Sequence, residues 1–238
     1  MKERTVLILK ALVEDFIETA NPVASQKLLS SNKFKVSSAT VRNEFSMLEE
    51  VGLIVSPHVS AGKIPTEKGY RFFVDEILPD LEKQNVKAVE NVFNVHREQY
   101  RLQKSKESVF DALRLLAQLS GNVAFASVES DQTFYLGLSN VLRSPEFISN
   151  PEKAAQVVEI LEGRERFKSF LDGVMVQPGE VKIFIGEENI LEEISSCTLL
   201  VTKFKSNNAE GTFGILGPMR MKYGYNKALI QNIADIII

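Results

Sequence analysis

One cysteine, Cys197, and two histidines, His58 and His96, are all the soft metal-binding chemistry in this 238-residue chain. A single thiol excludes an internal disulfide and a cysteine-built zinc site. Neither histidine lies near Cys197 or a carboxylate pair at ligand spacing, so no metal and no cofactor is expected. Cys197 follows Ser195 and Ser196 at the start of an apolar run and reads as a small core residue. No run approaches the about 18 consecutive apolar residues of a membrane-crossing helix. The pattern G-x-S-x-G, the P-loop and G-x-G-x-x-G are all missing. Glu187 and Glu188 are adjacent in "IGEEN"; in a strand they point to opposite faces and make poor acid–base partners. With no catalytic constellation, the chain is not expected to be an enzyme. The opening "MKERTVLILKALVEDF" has basic residues before an apolar run, but also Glu14, Asp15 and helical periodicity. It reads as a helix and not a signal peptide, and a cytoplasmic location is the default.

What is present is an ordinary globular composition, 44% hydrophobic and 25% charged, enough for one large or two modest domains. The net charge of −3 argues against a protein that coats nucleic acid without selectivity. Its distribution is uneven. Residues 24–72 hold seven basic side chains and four acidic ones, leaving that stretch at +3 and the rest at −6. A mildly basic module on an acidic body is compatible with local phosphate contact.

The spacing predicts a helix over 4–20, ended by Asn21-Pro22. A short second helix spans 24–31. A turn with two lysines covers 32–36. "SSATVRNEFSMLEEVGLI" (37–54) then places Val41, Phe45 and Leu48 on one helical face, with Ser37 or Ser38 as N-cap and Gly52 at the C-terminal end. The opposite face carries Ala39, Asn43, Ser46 and Glu50, with Arg42 on one flank and Thr40 and Met47 on the other. Leu53 to Val55 is a short strand, 56–62 a loop, and Lys63-Ile64 a strand that pairs back. Thr66 caps a further helix running to Ile77.

Three helices followed by a two-stranded hairpin is the winged helix-turn-helix plan. In that plan the second helix, opened by Ser25 and Gln26, crosses the DNA backbone. The third lies in the major groove and the hairpin is the wing. Asn43 suits bidentate contact with adenine, Ala39 the thymine methyl, and Arg42 a guanine or a phosphate. Free N–H groups at Ser38 and Ala39 favour a phosphate. The DNA-binding candidates are therefore Ser25, Gln26, Ser38, Ala39, Thr40, Arg42 and Asn43, with His58, Ser60 and Lys63 on the wing.

Residues 80–120 read as long, charged and helical, with Val86, Val89, Phe93 and Tyr100 in a loose heptad and His96 at a seam position. Residues 108–119 are strongly amphipathic and end at Gly121. Strands are expected over 123–128, 133–138, 181–185, 197–204 and 211–216. Helices are expected over 151–161, 164–171 and from about Tyr223 to Ile238. That mixture suggests an α+β fold, an antiparallel sheet with helices on one side. Arg220, after the glycine-rich run Gly211–Gly217, anchors the turn or contacts a neighbouring domain.

The run "SSATVRNEFSMLEEVGLIVSPHVSAGKIPTEKGYRFFVDEI" resembles HrcA, the bacterial heat-inducible transcription repressor family. The family pattern is S-S-A-T-hydrophobic-R-N, then G-L-I, P-H-x-S-A-G-R-I-P-T and G-Y-R-x-Y-V-D. "FIGEEN" (184–189) and "GTFGILGPMRMKY" (211–223) match as well, so the resemblance spans most of the chain. It implies a homodimeric repressor of chaperone operons that binds an inverted-repeat operator on double-stranded DNA, with its activity modulated by chaperonin. The implied layout is a winged-helix DNA-binding domain over 1–78, a helical linker over 79–107 and a GAF-like regulatory and dimerisation domain over 108–238. An alternative is a winged-helix regulator whose GAF-like half senses a small molecule. Lys63 stands where the family has Arg, and Met219 where it has Thr. Between "FASVES" (125–130) and "FYLGLSNVLRSPEF" (134–147) the family pattern implies a long segment, with part of the sheet and an inserted dimerisation domain. Here only a few residues join them.

Overall fold

The computed structural model describes residues 1–30, 36–58, 61–101, 108–128, 132–205 and 210–237. It divides into two units, Met1–Leu81 and Glu82–Ile238.

In the first unit, helices α1 (Glu3–Thr19), α2 (Ser25–Ser30) and α3 (Ser38–Glu50) are followed by strands β1 (Ile54–Val55) and β2 (Ile64–Pro65). Helix α1 buries Ile8, Leu9, Leu12 and Val13 at helical spacing. It stops where Ala20 turns left-handed (φ 54°) and donates its N–H to the Phe16 carbonyl. Strands β1 and β2 pair antiparallel, Ile54 with Pro65 and Val55 with Ile64. The second strand is one residue later than the spacing suggests, because Lys63 pairs instead with Val23. Helix α4 (Glu67–Phe72) is capped by Thr66, whose hydroxyl accepts from the Gly69 N–H at 3.0 Å. A wider turn, Phe73–Ile77, leads into α5 (Leu78–Arg101). Val89 and Phe93 of that helix are buried; the side chains of His96 and Tyr100 lie outside the described ones.

The second unit continues with α6 (Ser108–Ser120), β3 (Val123–Val128), β4 (Gln132–Leu136), α7 (Leu138–Leu142), α8 (Pro145–Ile148), α9 (Pro151–Glu162) and α10 (Arg164–Gly173). Strands β5 (Lys182–Ile185), β6 (Cys197–Lys205) and β7 (Glu210–Pro218) and helix α11 (Tyr223–Ile237) follow. The five strands form one antiparallel sheet in the order β4-β3-β7-β6-β5.

Helices cover both faces of this sheet, which corrects the expectation of a single covered side. Val123, Phe125, Leu199, Val201 and Leu216 share a core with α7 to α10. The alternate residues Ala124, Ala126, Leu200, Phe213 and Ile215 are equally buried, on the face where α6 and α11 pack. Gly214 on β7 makes room for this core. A Cβ there would lie 1.9 Å from the Leu200 carbonyl oxygen and 2.9 Å from the Phe125 ring. That ring meets Phe167 edge-on at 5.2 Å.

Two further expectations are corrected. Strand β4 ends at Leu136, because Gly137 takes φ 84° and Leu138 opens a helix. Glu187 and Glu188 sit in a tight helical turn, Gly186–Glu188, and not in a strand; Glu188 accepts from the Ile185 N–H at 2.9 Å. Cys197 is fully buried, and burial pushes its thiol up to about 12. Arg220 lies within this unit and anchors its turn to α8, its Nε donating to Glu146 at 2.5 Å.

Candidate nucleic-acid interface

Helix α3 begins with Ser37, whose Oγ accepts from the Thr40 N–H at 3.1 Å. Val41, Phe45 and Leu48 are buried against the rest of the unit. They hold the helix so that Ala39, Arg42, Asn43, Ser46 and Met47 are exposed. Ser46 turns back and donates to the Arg42 carbonyl at 3.1 Å. The accessible row therefore has Arg42, Asn43 and Ser46 as its polar members, between Ala39 and Met47. Arg42 is its cation, with no ion-pair partner among the described residues.

The buried side of α3 holds one residue that helical spacing alone does not single out. Glu44 is 1% exposed. It accepts from the Thr5 hydroxyl at 2.6 Å and from Arg4 Nε at 2.7 Å, both on α1. The Thr5 hydrogen bond, with help from Arg4, holds its carboxyl below the usual 4.5 against the opposing effect of burial. The signal was a carboxylate between Val41, Phe45 and Leu48, on the apolar face, which demands a partner.

The ribbon is tied to the helices from behind. Val23 and Lys63 exchange both backbone hydrogen bonds, at 2.8 and 2.9 Å. Gly62 permits this approach, since a Cβ there would lie 2.5 Å from the Val23 carbonyl carbon. Lys63 Nζ donates to Glu49 at 2.5 Å and to Ser56 at 2.7 Å. The ammonium lowers the Glu49 carboxyl in return. A cleft of about 330 Å³ opens between the start of α2, α3 and the ribbon base, lined by Ser25, Arg42, Phe45, Ser46, Gly62 and Lys63.

The ten expected residues divide accordingly. Gln26, Ala39, Arg42, Asn43 and His58 are exposed, and Ser25 is half-buried at the cleft. The Ser38 hydroxyl is buried without a hydrogen-bond partner among the described residues, and the Thr40 hydroxyl pairs with Ser37 at 2.9 Å. Lys63 is engaged with Glu49. Ser60, like the two-lysine turn at 32–35, lies outside the described residues.

The family profile described as HrcA protein C terminal domain matches residues 70–225. The chain belongs to the HrcA family. Among curated relatives, "Heat-inducible transcription repressor HrcA" of Acetivibrio thermocellus is 25% identical, over 97% of this chain and 93% of its own. The protein of that name from Desulforamulus reducens is 27% identical, over 94% and 92%. The first alignment runs over 329 positions, more than the 238 residues of this chain, so that relative carries residues this family member lacks. A crystal structure described as that of a hypothetical protein superposes with a TM-score of 0.75 at 17% identity. It covers 100% of this chain and 96% of its own, so the HrcA-family chain shares its fold. No helix among the described residues is long and apolar enough to cross a membrane.

Proposed function

We propose that the chain is a heat-inducible transcription repressor that binds an inverted-repeat operator as a homodimer, with chaperonin modulating its activity. The first unit is then a winged helix-turn-helix, with α3 as recognition helix and the β1–β2 ribbon as wing. One observation carries this reading. A helix pinned by Val41, Phe45 and Leu48 turns a short row of Ala39, Arg42 and Asn43 outward beside an antiparallel ribbon. A solvent-facing helix row with no task more often carries Lys and Glu, while groove contact calls for small, hydrogen-bonding side chains near a helix N-terminus. The names of the curated relatives support the same reading.

Within it, Asn43 and Ala39 read bases, and Arg42 reads a guanine or a phosphate. Gln26 and Ser25 meet the backbone. His58 and Ser60 reach out from the wing. Lys63, neutralised by Glu49, chiefly holds the ribbon to α3. The reading assigns no reaction to the protein. Selection of bound duplexes from a random pool tests it. The expected product is an inverted repeat whose half-sites are centred one or two helical turns apart. A pool that stays random, or converges on a lone half-site, would overturn the dimeric operator. Added chaperonin is expected to raise the fraction of protein active in binding; no change at any ratio would remove it from the scheme.

A further inference from the structure

The sheet face that packs on α7 to α10 is laid out in rows across the strands. Val123, Leu216 and Leu199 stand opposite one another in one row, and Phe125, Gly214 and Val201 in the next. Apart from the glycine, all of these belong to the core of the second unit. One row further along, the same face turns polar. Thr133 of β4 stands opposite Ser127 of β3, Ser127 opposite Thr212 of β7, and Thr212 opposite Lys203 of β6. Exposure does not explain the change, since Thr133 is 9% exposed, Ser127 3% and Thr212 4%. Among the described residues the three hydroxyls have no hydrogen-bond partner, and the half-buried Lys203 has no ion-pair partner. None of the three hydroxyl oxygens is sealed from solvent, so the row borders an opening. Burying unpaired hydroxyls costs stability. Three of them in line with an unpaired cation mark a place where a ligand supplies the missing acceptors.

We propose that this row binds a small hydroxylated molecule carrying one phosphate group, of the sugar phosphate class. Lys203 and Thr212 hold the phosphate, and Ser127 and Thr133 take the hydroxyl groups beyond it. An ammonium is a point charge that suits the tetrahedral oxygens of phosphate. A planar carboxylate is better met by the fork of an arginine, and the row has none. Neighbouring strands lie about 4.8 Å apart, so the three hydroxyls span about 10 Å, the length of a small phosphorylated sugar. The flexible lysine stem brings its charge in over Thr212. The inference goes beyond the operator reading and does not depend on it.

Isothermal titration of the full chain at fixed ionic strength tests it, with ribose 5-phosphate, glucose 6-phosphate, the two free sugars and inorganic phosphate as probes. At least one sugar phosphate is expected to bind saturably, about tenfold or more tighter than inorganic phosphate and than its own free sugar. Lys203→Met should weaken that binding by about tenfold or more, and Thr212→Val by about fivefold. Without ligand, Thr212→Val should melt no lower than wild type, because a methyl group of the same shape replaces an unpaired hydroxyl. Ser127→Ala is a second probe should Thr212→Val fail to fold by circular dichroism. No binding by either sugar phosphate overturns the site. So does binding no tighter than that of inorganic phosphate, or binding indifferent to these changes. None of these outcomes touches the operator reading, which selection from a random pool decides with no ligand present.

Discussion

Asn43 and Glu44 are neighbours with opposite tasks, which makes them the sharpest residue-scale probes. Asn43 faces outward, so Asn43→Ala should leave stability unchanged. It should cost roughly 1–3 kcal/mol on the selected site and relax specificity there. Titration by fluorescence anisotropy checks this, and an unchanged affinity would mean that α3 presents another face. Glu44 faces inward, and Glu44→Gln should cost about 1–3 kcal/mol of stability in urea unfolding. Its pH dependence has a definite sign. The folded carboxyl lies below the ordinary 4.5, so its stabilisation is complete above that value. It is lost as pH falls through the folded pKa. Glu44→Gln should flatten that acid limb, which melts between pH 7 and pH 3 would show. The carboxylate's need for a partner is legible in sequence. The identity of the partners is not, because Arg4 and Thr5 arrive from about 40 positions upstream through tertiary packing.

Among elements, the ribbon is the one whose position bears most on the proposed interface. Gly62→Ala puts a methyl group into the Val23 backbone. It should detach the ribbon from α2 and weaken all duplexes, while the second unit's unfolding transition stays where it is. Glu49→Gln should act the other way. Freeing Lys63 from its carboxylate adds a cation to the cleft and should steepen the salt dependence of binding. The elements themselves were unevenly legible. Helices α1, α3, α6 and α9 announce themselves through apolar spacing and caps, and β3 and β6 as apolar runs. Those runs also signal burial on both faces, since a half-solvated strand alternates. Helices α7 and α8 leave no such trace. Each is a turn or so long with one buried anchor, Val141 or Phe147, too short for periodicity to register. The exposed row of α3 was legible, since outward residues follow from the period. The ion pair of Lys63 was not, because it needs a ribbon register that one-residue slippage alters.

For the whole molecule the claim is one of stoichiometry and selectivity. A net charge of −3 and a basic module whose lysines are partly paired, Lys27 with Asp15 and Lys63 with Glu49, leave little charge for indiscriminate binding. On the proposed reading, selectivity comes from base contact by two recognition helices acting together. The most direct measurement titrates the full chain against the selected inverted repeat and against a scrambled duplex, at several salt concentrations, with the bound mass read at saturation. The account predicts two chains per duplex. It also predicts affinity at least about a thousandfold above that for the scrambled duplex, falling as salt rises. Equal, weak binding to both duplexes, or one chain per duplex at saturation, would contradict it.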